Sequence, residues 1–96
     1  METINLEAFM AFCKTLEGRT LSTVGGKAQF KLSLVKNEGI YYTLKSTGKE
    51  RSASKRHVER VLSRYTATDS LRNQDYVEIT LNSSYILALI KLYLAQ

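Results

Sequence analysis

The chain contains no proline, which leaves glycine and polar side chains to end its helices and strands. It also contains a single cysteine, Cys13, so an internal disulfide is excluded. Cys13 lies in the apolar helical pattern FMAFCKTL, where a cysteine behaves as a small hydrophobic residue. A lone cysteine is typical of proteins in a reducing compartment, so we expect a cytoplasmic location.

Long hydrophobic runs are missing as well. YILALI, with six residues, is as long as any run in the chain, whereas a helix that crosses a bilayer needs about 20 apolar residues. The opening METINLEAF carries two acidic residues and lacks the basic start and apolar run of a signal peptide. We therefore expect a soluble protein without a membrane partner.

Residues for catalysis and metal binding are scarce. One histidine and one cysteine cannot form a zinc cluster within the chain. A catalytic pair would have to join His57 to Ser46, Ser52 or Ser54, and hydroxyls that precede a helix are more often caps. We expect no catalytic residue, no metal and no cofactor, and we interpret His57 as a solvated surface residue. The alternative for His57 is a contact with a phosphate or a base.

The glycine-containing stretches VGGK and STGK lack the spacing of a nucleotide-binding loop. A P-loop has a glycine five positions before its Gly-Lys pair and a Ser or Thr after the lysine. In the stretch VGGK these two positions hold Leu21 and Ala28, and in STGK they hold Thr43 and Glu50. The five glycines do not match the dinucleotide-binding fingerprint either, so a recognisable nucleotide-hydrolysing enzyme is not expected.

The pattern of apolar residues predicts one α+β domain over residues 1–96. Two apolar stretches alternate with polar residues around Asn37–Gly39, which predicts an antiparallel hairpin over about 28–45. In its first strand Ala28, Phe30, Leu32 and Leu34 share one face. YVEITL predicts a third strand over about 76–81. The sheet is expected to be small and antiparallel, with helices on one face.

Three helices complete the predicted fold, over about 3–16, 54–65 and 83–95. Each has a polar residue or two at its start that can act as the cap, and the candidates in chain order are Thr3 or Asn5, Ser52 or Ser54, and Asn82 or Ser83. The last helix is apolar nearly all round, so it must be buried on more than one side. It takes either a central position or a subunit contact, and we expect a homodimer through it.

The net charge of +5 is confined to one segment of the chain. Residues 45–64 contain seven basic and two acidic residues, whereas the rest contains seven of each. The predicted helix in this segment places Arg56, Arg60 and Arg64 at four-residue steps along one stripe. Val58 and Val61 fall on a different arc that would face the core. Such a stripe suits a row of phosphates.

The loop before this helix suits an anion as well. Small residues let the backbone approach a ligand closely, and a helix start offers unpaired N–H groups. Tyr41 is expected on the outer face of its strand, with Tyr42 in the core, and an exposed tyrosine near lysines can stack on a base. The candidate nucleic-acid site thus comprises Tyr41, Lys45, Ser46, Thr47, Gly48, Lys49, Arg51, Lys55, Arg56, Arg60 and Arg64.

Other interpretations of this segment stay open. Runs of charge on helices are usually solvated faces, and Glu59 can pair with Lys55 or with nearby arginines. The leading hypothesis is a small non-enzymatic protein that binds nucleic acid through this segment. The main alternative is a protein-interaction or assembly module that acts through apolar and aromatic surface and the C-terminal helix. A small anionic ligand is a third possibility.

Overall fold

One antiparallel sheet organises the chain. A computed structural model describes residues 4–96. Within them the chain forms four strands that pair in chain order: β1 (Thr20–Ser22), β2 (Gln29–Lys36), β3 (Gly39–Leu44) and β4 (Glu50–Ser54). Each strand runs antiparallel to the one before it, so short turns make every connection. The predicted hairpin over about 28–45 is confirmed as β2 and β3, and the fold class is α+β.

Three helices cover one side of the sheet within the described residues: α1 (Leu6–Lys14), α2 (Lys55–Thr68) and α3 (Ser83–Ala95). The helix predicted over 83–95 has these bounds, and the other two overlap the predictions. Asn5 caps α1 by accepting from the Ala8 amide at 2.9 Å, and Ser54 caps α2 by accepting from the His57 amide at 3.2 Å. Thr3, the other candidate cap of α1, lies outside the described residues.

The helices and the inner face of the sheet share one hydrophobic core. Helix α3 contacts both α1 and α2, and its residues Ile86 to Ile90 are all buried. A central position therefore accounts for its apolar circumference, one of the two expected explanations. The strands contribute alternate residues to the same core: Leu21, Phe30, Leu32, Val35, Ile40, Tyr42 and Ala53.

A bulge in β2 changes the predicted face of one residue. The pairing with β3 shifts between Leu32 and Leu34, so that Leu34 is opposite Tyr41 and Val35 is opposite Ile40. Because the extra residue reverses the alternation, Val35 takes the core position and Leu34 is 39% exposed on the other face. The prediction that Leu34 shares a face with Phe30 is therefore wrong.

The strand predicted over about 76–81 is wrong too. Residues 73–75 form one turn of 3-10 helix and residues 76–79 form turns. Tyr76 and Ile79 are buried, whereas Val77 and Leu81 are 48% and 80% exposed. The buried positions are three apart, which suits a turn, and the apparent alternation of apolar residues does not correspond to a buried face.

None of the helices in residues 4–96 has the length and apolar character required to cross a bilayer.

Candidate nucleic-acid interface

Strand β4 separates the two halves of the predicted basic loop and helix. The sequence pattern predicted that the loop leads directly into the helix, but residues 45–47 form a turn, Glu50–Ser54 form β4, and α2 begins at Lys55. Because a strand advances about 3.3 Å per residue, the turn and the helix start lie roughly 13 Å apart, at opposite ends of the sheet. Lys49 therefore lies at the far end of β4 from the helix start, and Arg51 lies within the strand.

The turn between β3 and β4 uses several of its own amides. The Gly48 amide donates to the Leu44 carbonyl at 2.8 Å, and the Lys49 amide donates to the Thr47 hydroxyl at 3.2 Å. Gly48 has a φ of +73°, a conformation that glycine adopts without strain. These amides are thus unavailable as anion donors, and the turn offers chiefly the exposed side chains of Lys45, Ser46 and Lys49.

Helix α2 presents two of its three arginines to solvent. Arg56 and Arg60 are exposed, whereas Val58, Val61 and Leu62 are buried on the opposite arc, as predicted. Arg64 is engaged within the chain: its Nη1 donates to the Asp75 carbonyl at 2.9 Å and forms an ion pair with the Glu78 carboxylate. The basic stripe that is free to meet a ligand therefore ends at Arg60.

The start of α2 is tied to the turn between β2 and β3. The Lys55 amide donates to the Glu38 carbonyl at 2.8 Å, and its Nζ lies 3.4 Å from the Asn37 side-chain oxygen. Ser54 satisfies the His57 amide as the helix cap. His57 itself is half-buried. The amides of Lys55 and His57 at this end of the helix are thus already bonded within the chain, and the Lys55 side chain is half-buried.

Tyr41 lies on the other side of the sheet from α2. It points away from the core while Tyr42, its neighbour, is 2% exposed within it, as predicted. We call the side without a helix the open sheet face, and its outward side chains on β2 to β4 include Lys31, Ser33, Leu34, Lys36, Tyr41, Thr43, Glu50 and Ser52. The predicted site is therefore divided between two sides of the domain.

Arg51 lies at the edge that joins these two sides. It is the register partner of Tyr42 on β4, so its exposed side chain leaves the sheet on the side of the helices. Burial raises the pKa of the Tyr42 hydroxyl above its ordinary value, and Tyr85 adds to this effect, while the Arg51 guanidinium acts in the opposite direction.

The Asn82 side chain makes tertiary hydrogen bonds that the sequence pattern did not indicate. The pattern marked this residue only as a candidate helix cap. Its amide donates to the Ser52 carbonyl at 3.1 Å and to the Thr80 hydroxyl at 3.3 Å, and its side-chain oxygen accepts from the Tyr42 hydroxyl. These bonds join the start of α3 to the edge strand β4. Asn82 does not cap α3 through its side chain.

The exposed cations of this segment are not neutralised by neighbouring carboxylates. Between residues 4 and 96, ion pairs join only Lys14 to Glu17, at 3.8 Å, and Arg64 to Glu78. Within that range Lys45, Lys49, Arg51, Arg56 and Arg60 are exposed and form no ion pair. The alternative pairing of Glu59 with Lys55 is likewise not formed in the described part of the chain.

The remaining reactive groups are held by the fold. Cys13 is fully buried, and burial raises the pKa of its thiol to about 12, so a thiolate nucleophile is disfavoured at neutral pH. No group of three His, Cys, Asp or Glu side chains within residues 4–96 is placed to hold a metal ion. Ser54, one candidate partner of His57, binds the amide of that residue as a helix cap.

Comparison with protein-family models, with curated proteins and with solved structures finds no match to this chain.

Proposed function

We propose that this protein binds nucleic acid, with its phosphate contacts made by the cations of residues 45–64. One observation carries the proposal: the whole net charge of the chain lies in this segment, on side chains that are mostly exposed and without ion pairs in the described residues. Lysine and arginine side chains of this kind bind a polyanion by displacing its condensed counterions. The principal contacts are expected from Lys45, Lys49, Arg51, Arg56 and Arg60.

The salt dependence of binding tests the electrostatic origin of the affinity. Each phosphate that is neutralised contributes about −0.9 to the slope of log K against log salt for duplex DNA, and about −0.7 for single strands. Five cations therefore predict a slope of roughly −3.5 to −4.5. Fluorescence anisotropy of labelled single- and double-stranded oligonucleotides, titrated at low and at physiological salt, measures both the affinity and the slope.

A double variant locates the contacts. Arg56→Ala with Arg60→Ala removes two exposed cations of α2, and we expect a loss of affinity of about tenfold, or about 1.4 kcal/mol. The slope should fall by about 2, equally for every oligonucleotide sequence. Arg72→Ala with Lys91→Ala is the matched control, because it removes the same charge from exposed positions outside residues 45–64. Equal losses in both variants, or binding that ignores salt, would contradict the proposal.

A second candidate function is protein assembly through the end of α3. Its last turn exposes Leu92 and Leu94, at 37% and 48%, although the middle of the helix is buried within the chain. An exposed pair of leucines at a helix end can pack against a second copy to form the homodimer expected from the sequence. Analytical ultracentrifugation of the protein and of Leu92→Ser with Leu94→Ser tests this. A monomer at all concentrations would contradict it.

A further inference from the structure

The open sheet face forms a shallow surface on the side of the sheet away from α2, where Arg56 and Arg60 lie. A depression of about 640 Å³ is lined by residues of β2, β3 and β4, among them Leu34, Lys36, Tyr41 and Glu50, and it extends to Arg51 at the β4 edge. In the described part of the chain, all three helices lie on the opposite side of these strands. The face is therefore accessible over three neighbouring strands.

Tyr41 and Leu34 make an apolar platform in the middle of this face. They are directly opposite each other in the pairing of β2 with β3, and Leu34 is 39% exposed. The Lys36 ammonium lies over the Tyr41 ring, 5.7 Å from its centroid. Tyr41 is half-buried, and the ring face that points away from the sheet is covered by this flexible side chain rather than by another part of the fold. A nucleobase can take the same position when the Lys36 side chain moves aside, since bases stack on accessible aromatic faces.

Hydroxyl groups surround the platform. The Ser33 and Thr43 hydroxyls lie 3.2 Å apart, and Ser52 is opposite Tyr41 on β4. A hydroxyl both donates and accepts, so it can bond to the edge of any base. The surface thus combines one stacking ring with adaptable hydrogen-bonding groups, which suits recognition of bases that are not already paired.

Lysine side chains lie around the same surface. Lys31 and Lys36 project from β2, and Lys45 and Lys49 lie at the turn that ends β3. Glu50 is the one carboxylate on the open sheet face within the described residues. Most other acids lie elsewhere, in α1 and the turn after it and in the segment from Asp69 to Glu78. The charge of this face therefore complements a phosphate backbone.

The division of the basic residues between two sides of the domain favours a flexible ligand. A duplex has a persistence length of about 150 base pairs, so bending it around a domain of this size to meet both α2 and the open sheet face would cost several kcal/mol, on the order of 1–6 or more. The domain measures 36 × 26 × 24 Å. A single strand can pass from one side to the other around the β4 edge, where Arg51 is exposed.

We propose that the open sheet face binds single-stranded nucleic acid, with one base stacked on Tyr41 and the flanking phosphates near Lys31 and Lys36. This inference rests on the proposed nucleic-acid binding and adds its ligand class and its base-contacting surface. The Lys36 ammonium moves from the ring to a phosphate when the base stacks. The hydroxyls of Ser33, Thr43 and Ser52 bond to base edges or sugars.

The test compares Tyr41 variants on a labelled oligothymidylate and on a mixed-sequence duplex, by anisotropy. Loss of one stacked base is expected to weaken single-strand binding by about tenfold in Tyr41→Ala. Tyr41→Phe keeps the ring and should bind as the unchanged protein does. Because neither variant removes a charge, the salt slope should stay unchanged, in contrast to Arg56→Ala with Arg60→Ala. Thermal unfolding followed by circular dichroism checks that each variant is folded, and Tyr41→Leu provides a second variant without the ring.

The outcomes separate this inference from the proposed function. If Tyr41→Ala and Tyr41→Leu bind oligothymidylate as the unchanged protein does while the double arginine variant is weakened, the sheet-face inference is wrong and the proposed function stands. Tighter binding of the duplex than of the single strand would overturn the inference in the same way. If the unchanged protein binds neither oligonucleotide at low salt, the proposed function fails, and the inference fails with it.

Discussion

Tyr41 and Tyr42 are adjacent in the chain and have opposite environments. Tyr42 is 2% exposed, and its ring packs against Phe30 and Tyr85 with centroid distances of 5.7 and 4.7 Å. Tyr41 lies on the open sheet face with a lysine over its ring. Because successive side chains of a strand point to opposite sides, one strand serves the core with one set of residues and the solvent with the other. Folding and binding can therefore be changed separately at neighbouring positions.

The strongest test of this separation is at Phe30 and its neighbour Lys31. Phe30 is fully buried and contacts both Tyr42 and Tyr85, so Phe30→Ala should reduce the free energy of unfolding by about 3–5 kcal/mol. Lys31→Ala, on the other face, should change it by about 0.5 kcal/mol or less. Urea unfolding followed by far-ultraviolet circular dichroism measures both. Similar losses would show that the two faces are not independent.

A substitution at Gly39 can disturb the pairing of β3 with β4 without removing a side chain from either face of the sheet. A Cβ atom added there would lie 2.5 Å from the Ala53 carbonyl oxygen, so the two strands would have to separate. We expect Gly39→Ala to cost about 1–3 kcal/mol. Gly25→Ala is the control, because its added Cβ would meet only Cγ of the Lys27 side chain, at the ordinary contact distance of 4.0 Å. A stable Gly39→Ala protein would indicate that β4 moves easily.

Alkaline pH should lower the free energy of unfolding through Cys13, which is buried between α1 and the rest of the core. Burial raises the pKa of its thiol from 9.0 to about 12, so the unfolded chain releases this proton at lower pH than the folded one. The contribution of the neutral buried thiol to the free energy of unfolding is fully present below about pH 9. It is lost as the pH rises towards about 12, by at most about 1.4 kcal/mol per pH unit.

The comparison with Cys13→Ala isolates this thiol from the tyrosines and lysines that titrate in the same range. Guanidinium unfolding of both proteins at about pH 8 and about pH 10 should show the unchanged protein losing about 1 kcal/mol more than the variant. The smaller alanine side chain lowers stability at both pH values, so only the difference between them counts. Parallel pH profiles would show that Cys13 is solvated in the native protein.

Side-chain periodicity predicted the elements that contribute many residues to the core. The β2–β3 hairpin and the last helix were located correctly because their apolar residues repeat over a long stretch. Strand β4 was missed because only Ala53 of its five residues is buried and the others are exposed. Its hydrogen bonds with β3 hold it in place, and main-chain hydrogen bonds leave no pattern in the sequence.

The candidate site was predictable in its composition but not in its arrangement. The charge of residues 45–64 and the outward position of Tyr41 followed from the sequence. The split into two surfaces did not, since it depends on the missed strand β4. Arg64 belonged to the predicted stripe with Arg56 and Arg60, but the turns after residue 75 bring Glu78 beside it. Spacing along a helix cannot show which distant segment packs against it.

The smallest expected effect on stability is at Thr43, and it gives the sharpest separation of the two faces. The Thr43 side chain lies on the open sheet face, where its hydroxyl is 3.2 Å from that of Ser33. Thr43→Val keeps the branched shape that suits a strand and removes only the hydroxyl, so stability should change by about 0.5 kcal/mol or less. Binding of oligothymidylate should weaken by about two- to fivefold if this hydroxyl meets a base or sugar.

Ser22→Ala is the control for this variant. It removes a hydroxyl from β1, outside the depression, and should leave binding unchanged. A Thr43→Val protein with full affinity would limit the base contacts to the Tyr41 platform.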